Sequence, residues 1–284
     1  MNLNKKLIKD FIQQALMEDV GEGDHTSLST IPEGKQGEAQ LLIKDEGILA
    51  GIAVAKEIFH YIDPKLKLEV LLEDGTQVRN GDIAFYVSGS IHSILVAERL
   101  VLNTMQRMSG IASTTHHVVQ LLKDTHTRVL DTRKTTPGLR YLEKLAVKIG
   151  GGENHRFGLY DMILIKDNHV DYAGGIAKAI NAARQYLDEK ALKIPIEVEV
   201  RNLAEIKEVM QTEGVDRILL DNFSFEQLKE AIKFINGKYI TEASGGITEE
   251  NVLDYANCGV DFVSMGMLTH SVKSLDMSLK AIKE

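Results

Sequence analysis

The 284-residue sequence contains one cysteine, Cys258, and no tryptophan. A single thiol excludes an internal disulfide and a cysteine-rich metal cluster, and Cys258 falls in the helix-end sequence Tyr255-Ala-Asn-Cys-Gly259, where its expected role is packing. Long apolar runs are also missing. Near the N-terminus Leu7, Ile8, Phe11, Ile12, Ala15 and Leu16 recur at helical spacing but are interrupted by charges, which excludes a membrane span and a signal-peptide core. A cytoplasmic chain is the expectation. There is no basic block, and 41 acids against 33 Lys and Arg leave a net charge of −8, which argues against a nucleic-acid surface. No low-complexity linker divides the chain. With 44% hydrophobic residues it has material for one large domain or two modest, closely apposed ones.

Against that acidic background, residues 131–169 concentrate Arg133, Lys134, His155, Arg156 and Lys166. Arg133 and Lys134 follow the strand-like run Val129-Leu130-Asp131-Thr132 and precede Thr-Thr-Pro-Gly, so they stand where a strand gives way to a turn. Arginine offers a planar fork that matches carboxylates, and lysine a mobile point charge suited to phosphate. The pair therefore suggests one ligand with carboxylates and another with phosphates. An isolated Arg-Lys pair would more simply be a solvated turn.

From about residue 128 the chain alternates strand-like and helix-like segments. The runs are RVLDT, a helix near 139–148, MILIK, a helix at 174–187, IEVEV, a helix at 203–213, RILLD, a helix at 225–234, YITEAS, a helix at 249–257 and FVSMGM. This spacing implies right-handed βαβ units and a parallel sheet, with six strands favouring a barrel. Polar residues gather at the C-terminal strand ends: Arg133 and Lys134, Lys166, Glu199, Asp221, Ser244-Gly245-Gly246, and Ser264-Met265-Gly266. In α/β barrels that rim carries the active site. Ser244-Gly245-Gly246, ahead of a helix expected to start near Glu249, is placed to give backbone N–H groups to an anion, and Gly266 repeats the arrangement. Taken singly, Glu199 alternates with Glu197 as a half-buried strand would, and Asp221-Asn222 suits a helix cap equally well.

The first part of the chain reads differently. Residues 34–90 give short alternating runs separated by Gly and Asp turns, which suits a small β-rich domain with flanking helices. From His92 to about Asp124 a long helix, or two, carries Ile94, Leu95, Leu100, Val101, Leu102, Met105, Met108 and Ile111 and is expected to be buried on several sides. Arg99 in this belt either pairs with an acid such as Glu98 or projects across a subunit interface toward a ligand.

The strings TRKTTPG, GGGENHRFGLYDMILIKDNH, EVEV, LLDNF, EASGGIT and SMGML, with GEGDHTS and AERLVLN before them, resemble the quinolinate phosphoribosyltransferase family over nearly the whole chain. The resemblance implies an N-terminal α/β sandwich domain followed by the open (β/α) barrel of type II phosphoribosyltransferases. On that basis residues 1–112 form the sandwich, 113–269 the barrel, and 270–284 return to the first domain. It also implies a homodimer, sometimes assembled further, in which Arg99 completes the partner's site. The dicarboxylate site then matches Arg133, His155, Arg156 and Lys166. The phosphoribosyl pyrophosphate site matches Lys134, Glu199, Asp221, Ser244, Gly245, Gly246 and Gly266, with Thr132 and Ser264 beside them. Glu197 is the alternative to Glu199. Lys134, Lys166, Glu199 and Asp221 are the expected catalytic group, with Mg²⁺ near Glu199 and Asp221 and held partly by substrate. The implied reaction joins quinolinate to phosphoribosyl pyrophosphate with loss of carbon dioxide. A related phosphoribosyltransferase with another acceptor, either molybdenum-transport-associated or nicotinate-using, and a non-catalytic sensor of phosphate ligands are the alternatives.

Overall fold

In the computed structural model, which describes residues 3–282, the chain divides into two compact units. One holds the residues up to 116, 135–151 and those from 268 onward; the other holds 117–134 and 152–267.

The first unit begins with α1 (Lys5–Asp19) and α2 (His25–Thr30), followed by β1 (Gln36–Ile43), β2 (Gly47–Ile48), α3 (Ile52–Ile62), β3 (Lys67–Val70), β4 (Gln77–Val78) and β5 (Ile83–Ser90). A single 31-residue helix, α4 (Ile91–Leu121), follows. Its first half is buried along Ile94, Ala97, Val101 and Met105 and exposed along Leu95, Arg99 and Asn103, while residues 108–112 are buried all round, as expected of a helix enclosed on several sides. The last strand of the chain, β12 (Met277–Ala281), pairs antiparallel with β1, giving the sheet order β12-β1-β5-β3. Phe59 and Phe85 meet edge to face at 5.8 Å in the core of this unit, beside fully buried Leu41 and Ile43. Helix α3 starts at Gly51, which has no side chain to cap it. Asp74 supplies the cap by accepting from the N–H groups of Gly51, Ile52 and Ala53.

The second unit contains a six-stranded parallel sheet built from β6 (Arg128–Leu130), β7 (Ile163–Ile165), β8 (Ile196–Val200), β9 (Arg217–Asp221), β10 (Ile240–Ser244) and β11 (Phe262–Ser264). The intervening helices are α5 (Arg140–Ile149, within the first unit), α6 (Asp167–Ala173), α7 (Ile176–Lys190), α8 (Leu203–Thr212), α9 (Phe225–Ile235) and α10 (Val252–Ala256), and α11 (Met267–His270), which follows β11, belongs to the first unit from residue 268 on. The strand order β6-β11-β10-β9-β8-β7 leaves β6 and β7 as edges, so this is an open barrel. Glu153 partly fills the gap beside β6, donating to Val129 O and accepting from Asp131 N–H. Strand β8 is buried at all five positions, on both faces, and Glu197 and Glu199 share one of them. Cys258 is buried, its Sγ 3.2 Å from Asp254 O, and burial pushes its thiol pKa up, as suits a packing residue.

Candidate functional site

The second unit alone brings most of the sequence-predicted residues to one rim. Thr132, Arg133 and Lys134 follow β6, and Thr132 Oγ1 shapes their turn by accepting from Lys134 N–H at 3.0 Å. Lys166 follows β7 and caps α6; its Nζ lies 2.6 Å from Glu199 Oε2. Glu199 is near the end of β8, Asp221 ends β9, Ser244 ends β10 and Ser264 ends β11. Parallel strands in register make this inevitable, since Ser244 stands directly beside Asp221.

His155 and Arg156 arrive on the loop that runs beside β6. Buried Asp131 anchors it, accepting from His155 N–H at 2.9 Å and from Asn154 Nδ2 at 2.5 Å. Asp161 then closes the following turn on the N–H groups of Phe157 and Gly158. Burial lowers the Arg156 pKa, and the nearby positive charge of Arg133 lowers it further, so these two guanidinium groups stand close enough to repel. Convergent like charges of this kind are stabilised by an anion placed between them.

The imidazole of His155 turns the other way. Its side chain is only 8% exposed, and Nε2 lies 3.0 Å from Glu197 Oε2 and 3.4 Å from Glu242 Oε2. Arg217 reaches the same Glu242 oxygen at 2.8 Å, and Ser264 also hydrogen-bonds Glu242. Burial alone would lower the His155 pKa, but the two glutamates outweigh it and push it up to about 9. Arg156 N–H, 2.7 Å from Nδ1, opposes that rise because it needs an unprotonated nitrogen there. Burial raises Glu197. Glu242 is lowered, because His155 and Arg217 overcome the burial it shares. Phe262, in register with Glu242, carries the guanidinium groups of Arg128 and Arg217 over its ring, each 4.6 Å from the ring centre.

Sequence reading missed Asp131, Asn154, Arg217 and Glu242; Ser264, expected beside the phosphate site, hydrogen-bonds Glu242. The available signal was charge at strand positions that alternate with the rim residues, as Glu242 does with Ser244.

The glycine-rich turn has the geometry of an anion nest. Gly245 and Gly246 have φ of +96° and +61°, values that L side chains rarely adopt, and a Cβ on Gly245 would collide with the Asn222 side-chain amide. The helix expected from Glu249 starts only at Val252 and has five residues, so the turn relies on its own N–H groups. Arg99 is exposed on α4, and among the described residues no carboxylate pairs with it, Glu98 included. His270 contacts its neighbour Ser271.

Glu199 and Asp221 suit a hard cation that keeps water and substrate oxygens. Each uses one carboxylate oxygen locally, on Lys166 and on Asn222 respectively, and retains a second. His155, Glu197 and Glu242 also lie within 4.8 Å of one another, but the Arg217 guanidinium beside them suits a bound proton better than a metal.

Comparison with known proteins identifies the family. The quinolinate phosphoribosyl transferase N-terminal domain matches residues 24–109, and the C-terminal domain of the same name matches residues 111–280. The chain is 48% identical to quinolinate phosphoribosyltransferase (decarboxylating) 1b of Nicotiana tabacum, over 96% of this chain and 82% of that protein. It is 42% identical to a probable nicotinate-nucleotide pyrophosphorylase (carboxylating) of Bacillus subtilis, over 98% and 94%. The crystal structure of NadC from Streptococcus pyogenes, 40% identical, superposes with a TM-score of 0.93 over the full length of both chains. With both domains matched in order and the rim residues gathered on one barrel, the chain belongs to the quinolinate phosphoribosyltransferase family.

Proposed function

We propose that this enzyme transfers the phosphoribosyl group of phosphoribosyl pyrophosphate to the ring nitrogen of quinolinate, giving nicotinate mononucleotide, pyrophosphate and carbon dioxide for NAD synthesis. The observation that carries the reading is the convergence of Arg133, Arg156 and Lys166 on the rim that also holds Glu199, Asp221 and the Ser244–Gly246 turn. A diacid needs that many cations, and a monoacid such as nicotinate does not. A sensor is disfavoured because Lys134, Glu199 and Asp221, which a non-catalytic relative would have no need to keep, are all present.

The chemistry follows from charge. As the C1–oxygen bond to pyrophosphate breaks, the ribose ring becomes cationic and the leaving group gains negative charge. Glu199 and Asp221 hold the ribose hydroxyls beside the cationic ring, and Lys134 and the N–H groups at Ser244–Gly246 and Gly266 hold phosphate oxygens. The pyridine nitrogen supplies the electron pair for the new bond, so the protein provides no nucleophile. The resulting pyridinium accepts the pair released when the bond to the 2-carboxylate breaks, and the ring carbon then takes a proton. Arg133 and Arg156 fix both carboxylates, which sets the angle of attack. Mg²⁺, when bound, would be held by Glu199 or Asp221 together with substrate oxygens and would neutralise the departing pyrophosphate.

We further infer a homodimer in which Arg99 reaches the partner's quinolinate; its exposure and lack of an acidic partner support this. No helix among the described residues is long and apolar enough to cross a membrane. A cytoplasmic location fits the sequence, while several plant relatives are named as chloroplastic or mitochondrial, and cell fractionation decides between them. The deciding experiment for the activity supplies quinolinate, phosphoribosyl pyrophosphate and Mg²⁺ and measures nicotinate mononucleotide and carbon dioxide, expected in equal amounts. Turnover of nicotinate with none of quinolinate would overturn the assignment.

A further inference from the structure

Among the described residues four other than glycine have a left-handed backbone: Ala191, Glu213, Asn222 and Asn236. Three of them are C-caps: Ala191 and Asn236 end α7 and α9 in the left-handed conformation that ordinarily stops a helix, and Glu213 ends α8 with φ +58° and ψ 176°. Asn222 is the exception. It follows a strand, β9, and has φ of +55°. Asparagine tolerates this conformation better than most side chains, which explains how the position is occupied but not what it serves.

Helix capping does not account for it. Helix α9 is capped by Ser224, whose Oγ accepts from Gln227 N–H while the Gln227 side chain accepts from Ser224 N–H. Asn222 makes three other contacts, each with a residue of the rim. Its backbone N–H donates to Ser244 O at 2.9 Å, carrying the β9–β10 ladder one step past the paired Asp221 and Ser244. Its side-chain Nδ2 donates to Asp221 Oδ2 at 2.6 Å, so one oxygen of that carboxylate is held and the other is left for ligand. Its Oδ1 and Cγ occupy the space where a Cβ on residue 245 would lie, against the Gly245 backbone at φ +96°. The left-handed turn is what lets one residue make all three contacts, because an extended residue here would turn its side chain to the face of the sheet opposite Asp221.

We propose that Asn222 is a positioning residue that locks the Asp221 carboxylate and the Ser244–Gly246 turn into one rigid grip on the ribose phosphate of phosphoribosyl pyrophosphate. The proposal rests on the reading above of Asp221 and the turn as that grip. It adds that their relative placement is set by this amide and not by the sheet alone. It also explains why residue 245 is glycine: any side chain would displace the amide that holds Asp221.

The test is steady-state kinetics on three substitutions in the intact enzyme with Mg²⁺. Asn222→Gly keeps the left-handed backbone accessible and deletes only the amide. Asn222→Asp keeps the shape and replaces the donor with an acceptor that repels Asp221. The expected result for both is a 10- to 100-fold fall in kcat/KM for phosphoribosyl pyrophosphate, with KM for quinolinate changed less than twofold and an unaltered circular-dichroism spectrum. Gly245→Ala supplies the coupling. It should impair the wild type by at least tenfold and the Asn222→Gly background several-fold less, since the collision with Oδ1 and Cγ is relieved there while the strain of a side chain at φ +96° remains. A purely structural role would raise both KM values together or lower stability without the substrate bias, and either outcome overturns the proposal, as does a change in kcat/KM below threefold in both Asn222 variants. Asp221→Asn is measured alongside. If Asp221→Asn is silent, the reading of the grip fails; if it is impaired and both Asn222 variants are normal, only the positioning role fails.

Discussion

Replacing Glu242 by glutamine tests whether the charges inside the barrel act as a unit. Glu242 is fully buried, 2.8 Å from Arg217 and 3.4 Å from His155. Removing one partner of a buried ion pair leaves the others uncompensated, which costs about 3–5 kcal/mol. The pH dependence gives a second magnitude. A rise of the His155 pKa from 6.5 to about 9, at about 1.4 kcal/mol per pH unit, is worth about 3 kcal/mol, a ceiling because Arg156 N–H at Nδ1 favours the neutral ring. The folded-state value is raised, so this stability is fully present below pH 6.5 and is lost as pH rises toward about 9. Glu242→Gln removes one of the two carboxylates responsible, so the variant should start less stable and lose less over that interval. Without tryptophan, urea unfolding is best followed by far-UV circular dichroism between pH 6 and 9.5. A loss below about 1 kcal/mol with the wild-type pH slope intact would refute the reasoning.

Asp221→Asn is expected to raise the barrier by about 2–4 kcal/mol while leaving quinolinate affinity within a factor of about three, read from kcat and from calorimetric titration with quinolinate. Arg99→Ala and Lys134→Ala should each be inactive as homodimers, and subunit exchange between them should restore roughly a quarter of the sites, since each mixed dimer keeps one intact pair. Verified exchange with no recovery would remove Arg99 from the partner's site.

The strand-and-helix alternation was legible because each strand is a short apolar run and each helix a periodic one, and the rim followed from where polar residues interrupt the runs. Register was not legible. Nothing in RILLD and YITEAS alone says that Arg217 and Glu242 meet a histidine from a distant loop, because that contact depends on three strands and a loop pairing in one register. Local competition hid the late start of α10. Asn251 accepts from Thr248 N–H at 2.8 Å and donates to Gly246 O at 3.0 Å, so the segment expected to begin a helix is held as a turn. Helix α6 escaped notice because it is one short segment ended by Gly174 and Gly175. The exposed line Leu95, Arg99 and Asn103 in the first half of α4 was obscured by counting apolar residues without projecting them onto the helix.

The barrel interior is unlike the layers of branched aliphatic residues usual in such folds. Two-residue alternation along the strands places Glu197 below Glu199, Glu242 below Ser244 and Phe262 below Ser264, so a layer of charge and aromatic surface underlies the rim. Apolar residues of similar volume would be neutral or stabilising at such positions, so stability alone gives no reason for the charges. Geometry does. The His155 ring spans from Glu197 and Glu242 to the amide of Arg156, and Arg217 holds Glu242 in place from below. A hydrocarbon layer would fill the same space but would leave the Arg156 loop without that directional support. The charges therefore tie the orientation of a cation at the rim to the packing of the strands beneath it, and a substitution at Glu242 should disturb quinolinate binding even though that residue is too deeply buried to touch the substrate.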